Sequence, residues 1–210
     1  MELLSRLLGG VERVKIMRYF LHHENALVSL SDIAEKTKSK SDLVKKEVNA
    51  LHTIGFLEKK KTKTFVLSGA TKKASPKIKE VNGYMLNNQF PHNVALKELL
   101  FDFKSFDTKE LFARFKLVGR IKMLLVAGVF IGSEKSRVDV LLVGESINRA
   151  KAEKVFEGLS AEFGRDITYA IMDVEEYEYR FKMYDKFVRD IVEMENVVVV
   201  DKLRESKNTF

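Results

Sequence analysis

Residues 39–53 carry hydroxyl, amide and ammonium groups at positions where a helix would present them together. Val44, Val48 and Leu51 recur at helical spacing, so we expect them to face the interior and the polar residues to face outward. On such a face an asparagine can pair with adenine, and a lysine can reach guanine or a phosphate. Hydroxyl and backbone N–H groups in the preceding turn can hold a further phosphate. The candidate DNA-contacting residues here are Ser39, Lys40, Ser41, Lys45, Lys46, Asn49 and Thr53.

Two serine–aspartate pairs mark predicted helix starts in this part of the chain. Ser29 with Asp32, and Ser39 with Asp42, have the spacing of an N-terminal capping pair. Asp42 therefore has two interpretations, because it could cap its helix or accept a hydrogen bond from a cytosine amine. Gly55 stands where a residue in the left-handed conformation usually ends a helix.

Lysines are concentrated in the segment that follows this helix. Phe56–Leu67 and Lys79–Leu86 are predicted to form two strands, joined by a polar loop over Ser68–Lys77. A basic hairpin beside a groove-binding helix would contact the DNA backbone or the minor groove. The alternative is a solvated lysine-rich surface. The candidate DNA-contacting residues of the hairpin are Lys59, Lys60, Lys61, Lys63, Lys72 and Lys73.

Charge is divided unevenly along the 210 residues. Residues 1–90 hold 17 Lys and Arg against 9 Asp and Glu, whereas residues 91–210 hold 20 against 21. The net charge of +7 therefore comes from the first part of the chain. Such a division indicates a polyanionic partner for that part alone.

Residues 9–90 resemble the winged helix-turn-helix domains of bacterial transcriptional regulators of the ArsR/MarR-like group. The resemblance is carried by RVKIMRYF, SLSDIAEKT and KKEVNALHTIGFLEK, in that order. It implies double-stranded DNA as the partner and a homodimer on a two-fold symmetric operator. Winged helices also serve as protein-interaction modules, so an interaction module without DNA contact is a further alternative.

From Arg120 onward, apolar runs alternate with amphipathic segments. This alternation predicts an α/β domain. Two helices, His92–Phe103 and Thr108–Val118, precede it and would form a connector or a dimer seam. The predicted strands are Ile121–Ile131, Val138–Val143, Asp166–Met172 and Val197–Val200, and the predicted helices are Asn148–Phe163, Val174–Lys182 and Asp185–Met194.

Residues 120–203 resemble the small bacterial form of the nucleotidyltransferase domain related to DNA polymerase beta. The resemblance rests on VDVLLVG at 138–144, on RDITYAIM at 165–172 and on the strand that ends in Gly128. In that family a Gly-Ser turn grips nucleotide phosphates, and three carboxylates on neighbouring strands bind two magnesium ions. Two metals can clamp the attacking and leaving oxygens only where hard carboxylate ligands cluster.

This chain departs from the family pattern at the metal ligands. Asp139 matches the second carboxylate, whereas Arg137 occupies the first position and Thr168 the third, with Asp166 two residues away. One carboxylate does not hold two Mg²⁺ ions, so we expect a catalytically inactive domain. Asp139 would then be either a strand-end residue that caps or forms a salt bridge, or a residual contact for one metal or a nucleotide. The vestigial site expected from the resemblance consists of Gly128, Asp139 and Asp166.

Several residue types and motifs that are absent from the sequence bear on the expected compartment and ligands. The chain has no cysteine, which excludes disulfides and is typical of a reducing cytoplasm. No apolar run approaches the ~20 residues that a membrane-spanning helix needs. The four histidines have no metal-ligand spacing, and no phosphate-binding glycine-rich motif is present. We therefore expect no cofactor, no bound metal and no membrane partner.

The sequence as a whole predicts a mixed fold, α+β in its first part and α/β in its second. We expect a winged helix-turn-helix at 1–90, a helical connector at 91–119 and a nucleotidyltransferase-like domain at 120–210. This two-part arrangement resembles a group of small bacterial transcriptional regulators. The expected function is a non-enzymatic, cytoplasmic DNA-binding regulator, whose C-terminal domain dimerises or senses a ligand. The alternative is an active metal-dependent nucleotidyltransferase that uses Asp139 and Asp166.

Overall fold

The computed structural model of the chain describes residues 2–67, 76–101, 107–133 and 135–205. Side chains in strand residues 62–67 and 76–81 lie outside that description. The fold mixes helices with two β-sheets, which confirms the predicted mixed α and β class. The chain forms two compact units. Unit 1 contains the chain up to Leu100 together with Ala161–Arg165, and unit 2 contains Phe101–Ser160 and Asp166–Phe210.

Unit 1 is a helical layer on a small antiparallel sheet. Its strands lie in the order β1-β3-β2. The long β2–β3 hairpin pairs from Leu57 opposite Leu86 out to Leu67 opposite Pro76. Its elements are α1 (Glu2–Leu8), α2 (Val11–His22), β1 (Val28–Ser29), α3 (Leu30–Lys36), α4 (Ser41–Thr53), β2 (Leu57–Leu67), β3 (Pro76–Leu86) and α5 (Asn93–Leu100).

The core of unit 1 contains apolar side chains from α2, from α4 and from the start of the hairpin. Phe20 of α2 and Val44 and Val48 of α4 are completely buried, and Phe56 joins them at the start of the hairpin. Gly55 has a φ of +82°, which places it in the left-handed region that the predicted helix end requires. The predicted inward face of α4 is therefore confirmed.

Of the two predicted capping pairs, only the first is present. Ser29 accepts the N–H of Asp32, and the Asp32 carboxylate accepts the N–H of Ser29, which completes a capping box. The pair at Ser39 and Asp42 is wrong, because α4 begins after Lys40 without a side-chain cap. The Ser39 hydroxyl instead donates to the carbonyl of Thr37.

Unit 2 has a four-stranded mixed sheet in the order β6-β5-β4-β7. Strands β5 and β6 are parallel and are joined by α7, whereas β4 is antiparallel to β5 and β7. The elements are α6 (Thr108–Phe115), β4 (Arg120–Val126), β5 (Val140–Glu145), α7 (Arg149–Phe163, whose last turn belongs to unit 1), β6 (Tyr169–Asp173), α8 (Val174–Lys182), α9 (Lys186–Glu193), β7 (Val197–Asp201) and α10 (Lys202–Glu205).

Several predicted boundaries in unit 2 are wrong. The apolar run predicted as one strand to Ile131 stops at Val126, and a 3-10 turn covers Gly128–Ile131. The turn forms because Gly128 has a φ of +52° and because the N–H of Val129 donates to Asp139. Asp166 is exposed and precedes β6 rather than lying in it.

The predicted limits of the connector and the hairpin also need adjustment. The helix predicted over His92–Phe103 begins at Asn93 and ends at Leu100, and the one predicted over Thr108–Val118 ends at Phe115. Strand β3 begins at Pro76, inside the predicted loop. Among the described residues, no helix is long and apolar enough to cross a membrane.

Candidate functional site

Helix α4 presents two chemically distinct faces. Val44, Val48 and Leu51 are at most 1% exposed. All the candidate DNA-contacting residues of the helix lie on the exposed side, as does Asp42. Thr53 uses its hydroxyl to donate to the carbonyl of Asn49, one turn back. The exposed candidates on α4 are Ser41, Lys45, Lys46, Asn49 and Thr53.

The lysines of this face are available to an external anion. Neither Lys45 nor Lys46 forms an ion pair within the part of the chain that the structure describes. Lys40, at the N-cap, is also exposed, while Ser39 is half-buried in the turn. Asp42 forms no cap, but it lies in the first turn of α4, where its negative charge interacts favourably with the helix dipole.

The hairpin sorts its lysines onto two faces. Successive side chains of a strand alternate, so Lys59 and Lys61 share the face of the buried Leu57, while Lys60 lies on the other face. On that second face Lys60 pairs with Glu58 at 3.2 Å. The run of three lysines is therefore not a uniform patch.

The face that carries Lys59 is the one turned toward α4. Lys59 lies opposite Tyr84, and the Tyr84 ring meets the His52 ring of α4 edge-on, with 6.2 Å between centroids. Nδ1 of His52 also lies 2.9 Å from the carbonyl oxygen of Leu57, which fixes the end of α4 to β2. These contacts bring α4 and the Lys59–Lys61 face onto the same side of the sheet.

Three of the candidate lysines lie wholly or partly outside the described structure. Lys63 is in β2 opposite Glu80, but its side chain falls outside the description. Lys72 and Lys73 lie outside the described residues altogether. Their predicted contacts with DNA stay predictions.

In unit 2, Asp139 is a buried carboxylate whose oxygens are engaged by the protein. Oδ1 accepts the N–H of Val129 at 2.7 Å. Oδ2 accepts the N–H and the hydroxyl of Thr168 at 2.8 and 2.9 Å. The side chain is 4% exposed. Asp139 therefore joins the turn after β4 to the start of β6, and its lone pairs are directed at protein donors.

Gly128 and Asp166 have different relationships to this carboxylate. A Cβ on Gly128 would overlap Oδ1 of Asp139, so only glycine fits there. Asp166 is exposed, and the structure gives no contact between it and Asp139. Arg137, at the position of the expected first carboxylate, is paired with Asp190 at 2.6 Å. Across the described ranges, no three His, Cys, Asp or Glu side chains are grouped closely enough to hold a metal.

Sequence reasoning missed the polar contacts that hold α4 in place. Glu47 lies among the inward residues of α4 and is only 9% exposed, and it accepts the Nε–H of Arg13 at 2.6 Å. Lys15 donates to the carbonyl of Thr37 at 3.3 Å, in the turn before α4. A signal was present in the sequence, since Glu47 interrupts an otherwise apolar helix face between Val44 and Val48.

Helix α2 carries two basic side chains that are at least half-buried, Arg18 and His22. Arg18 donates to the carbonyl oxygens of Leu100 and Glu162 at 2.9 and 3.0 Å, and burial lowers its pKa to about 10. His22 is half-buried, and burial is the main cause that lowers its pKa to about 4.

Comparison of the chain with protein-family models, with curated proteins and with solved structures gave no match.

Proposed function

We propose that this chain is a cytoplasmic transcriptional regulator that binds double-stranded DNA as a homodimer. In this proposal unit 1 is a winged helix-turn-helix, α4 is its reading helix and the β2–β3 hairpin is its wing. The observation that carries the proposal is the exposed face of α4, where Lys45, Lys46 and Asn49 stand opposite the buried Val44 and Val48. Such a helix can place its outer face against base edges in the major groove.

The hairpin supports the proposal independently of the helix. The strand register puts Lys59 and Lys61 on the face that is turned toward α4, and in this proposal they add to the positive charge that the helix presents to DNA. A duplex lying against both elements would neutralise phosphates with these lysines and release counterions. The order helix, strand, helix, helix, strand, strand from α2 to β3 resembles that of a winged helix-turn-helix.

In this proposal unit 2 is not catalytic, and it serves either in dimerisation or in sensing a ligand. We propose a nucleotidyltransferase-like scaffold without transferase chemistry. The support is chemical, because Asp139 already accepts hydrogen bonds on both oxygens and Arg137 brings a positive charge to the place of the family's first carboxylate. Two magnesium ions would need several uncommitted carboxylate oxygens at that point.

Fluorescence anisotropy with a labelled random-sequence duplex tests the proposal. We expect wild-type protein to bind, and the double variant K45E/K46E to lose at least about tenfold in affinity, since two attractive contacts become repulsive. The matched control is K151E/K154E, which makes the same charge change at two exposed lysines of α7. Equal losses in both variants would show a general charge effect and would contradict a role for α4.

A further inference from the structure

The polar contact between Arg13 of α2 and Glu47 of α4 is unusual for its position. Glu47 is 9% exposed, although it lies on a helix whose other inward residues are apolar. Its Oε2 accepts the Nε–H of Arg13 at 2.6 Å. The Glu47 side chain is 12% exposed and the Arg13 side chain 32% exposed, so an apolar residue at position 47 would avoid the cost of removing the carboxylate from water. The pair therefore contributes something other than burial.

Directional contacts are what an ion pair adds to a packed helix interface. Apolar ridges allow two helices to slide or rotate by small amounts, because dispersion contacts have little angular preference. A charge-assisted hydrogen bond from a planar guanidinium fixes both distance and direction. In unit 1 this bond joins α2 to the second turn of α4, where Glu47 directly follows Lys45 and Lys46.

Two neighbouring features help to hold α4 against α2. A Cβ on Gly9 would lie 3.0 Å from Nη1 of Arg13, so the glycine joint between α1 and α2 leaves space for the guanidinium. Lys15, two residues along α2, donates to the carbonyl of Thr37 in the turn before α4. Helix α2 thus holds the segment that carries the candidate DNA-contacting residues at two polar points.

We infer that Arg13 and Glu47 are positioning residues that set the angle of α4 for reading base sequence. This inference rests on the proposed function and assigns neither residue a contact with DNA. A small rotation of α4 would displace Asn49 and Lys46 from base edges, and directional base contacts would be lost first. Phosphate contacts through flexible lysines would survive the same rotation.

The test separates sequence discrimination from general affinity. Wild-type protein first selects a preferred duplex from a randomised pool, and the affinity ratio between that duplex and a scrambled one is measured. The double variant R13M/E47L removes both partners together, so that neither charge is left unpaired at the interface between α2 and α4. We expect the ratio to fall about tenfold or more, with unchanged affinity for the scrambled duplex and an unchanged salt slope.

A matched control and conservative variants make the outcome decisive. The pair Lys97–Glu24, at 2.9 Å and about half exposed on each side, is removed in K97M/E24Q, which should leave the ratio unchanged. E47Q keeps an acceptor for Arg13 and should retain more discrimination than E47L, which keeps none. If R13M/E47L does not fold, the affinity ratios of E47Q and E47L are compared instead, each measured at the same number of degrees below the Tm of the variant.

The possible failures are distinguishable from one another. Wild-type protein that binds no duplex contradicts the proposed function itself. Wild-type protein that selects a sequence, together with an R13M/E47L variant that discriminates equally well, overturns the positioning role alone. An equal fall in affinity for both duplexes would also overturn the positioning role, because loss of folded protein would have that effect.

Discussion

Thr168 donates both its backbone N–H and its hydroxyl to Oδ2 of Asp139, at 2.8 and 2.9 Å. The same carboxylate accepts the N–H of Val129 through its other oxygen. A residue that resembles a magnesium ligand by its place in the sequence is thus a buried brace between two segments of unit 2. Its removal should be seen in stability before it is seen in any reaction.

We predict that Asp139→Asn destabilises the protein by about 2 to 4 kcal/mol, because an amide nitrogen cannot accept the hydrogen bonds that one carboxylate oxygen accepts. Thr168→Val removes only the hydroxyl donor and should cost about 1 kcal/mol. Urea denaturation followed by circular dichroism measures both values. A stable Asp139→Asn variant that loses a pyrophosphate-releasing activity present in the wild type would support the transferase alternative instead.

We predict that Gly128→Ala destabilises the protein by about 3 kcal/mol or more. The backbone there has a φ of +52°, and the added methyl group would overlap Asp139. Gly158→Ala in α7 is the matched control, because the space around that Cβ position is open. It should stabilise the protein by about 0.5 to 1 kcal/mol, as alanine favours a helix interior. Equal unfolding midpoints for the two variants would contradict the described turn.

Features that depend on residues close together in the chain could be predicted from the sequence, whereas those that depend on distant contacts could not. Local periodicity was sufficient to identify the buried Val44 and Val48 of α4, and local spacing identified the capping box at Ser29. The end of β4 could not be read locally, because the turn at Val129 depends on Asp139, ten positions further along the chain. The Ser39–Asp42 pair has the spacing of a cap, but Ser39 donates to Thr37 instead.

The candidate DNA-contacting surface was predicted in composition but not in geometry. A run of lysines in the sequence does not say which of them share a face, since that depends on the strand register. The register places Lys59 and Lys61 together and leaves Lys60 beside Glu58. Likewise, a lone glutamate between apolar residues does not name its partner, and Arg13 lies 34 positions away from Glu47.

We predict that single Lys→Gln changes in the hairpin act by face. Lys59→Gln and Lys61→Gln should each lower the slope of log affinity against log salt by about 0.9, as expected for one lost phosphate contact. Lys60→Gln should leave the slope unchanged, because Lys60 lies on the opposite face and is paired with Glu58. Anisotropy titrations at several salt concentrations measure the slopes, and equal changes for all three lysines would contradict the face assignment.

His22 gives a prediction about pH. Burial, followed by the positive charges of Arg165, His23, Lys97 and Arg18, lowers the pKa of His22 from 6.5 to about 4. The unfolded chain therefore takes up this proton before the folded chain does as the pH falls. The contribution of His22 to stability is complete above pH 6.5 and is lost progressively between pH 6.5 and about 4.

His22→Gln isolates this effect, because glutamine does not titrate. Between pH 6.5 and 4.5 the wild type should lose about 1 kcal/mol more stability than the variant does, after allowance for the partial exposure of the ring. His92→Gln changes an exposed histidine and is the control. Parallel stability–pH curves for wild type and His22→Gln, measured by urea denaturation, would contradict the burial of this ring.

The salt dependence of wild-type binding to a random-sequence duplex shows whether unit 1 lies against DNA. If α4 and the hairpin lie against the phosphate backbone, affinity should fall by about a hundredfold between about 50 and about 200 mM salt, which corresponds to roughly four neutralised phosphates. Binding that is absent at the lower salt concentration, or that does not change across this range, would contradict the assignment of unit 1 as a DNA reader.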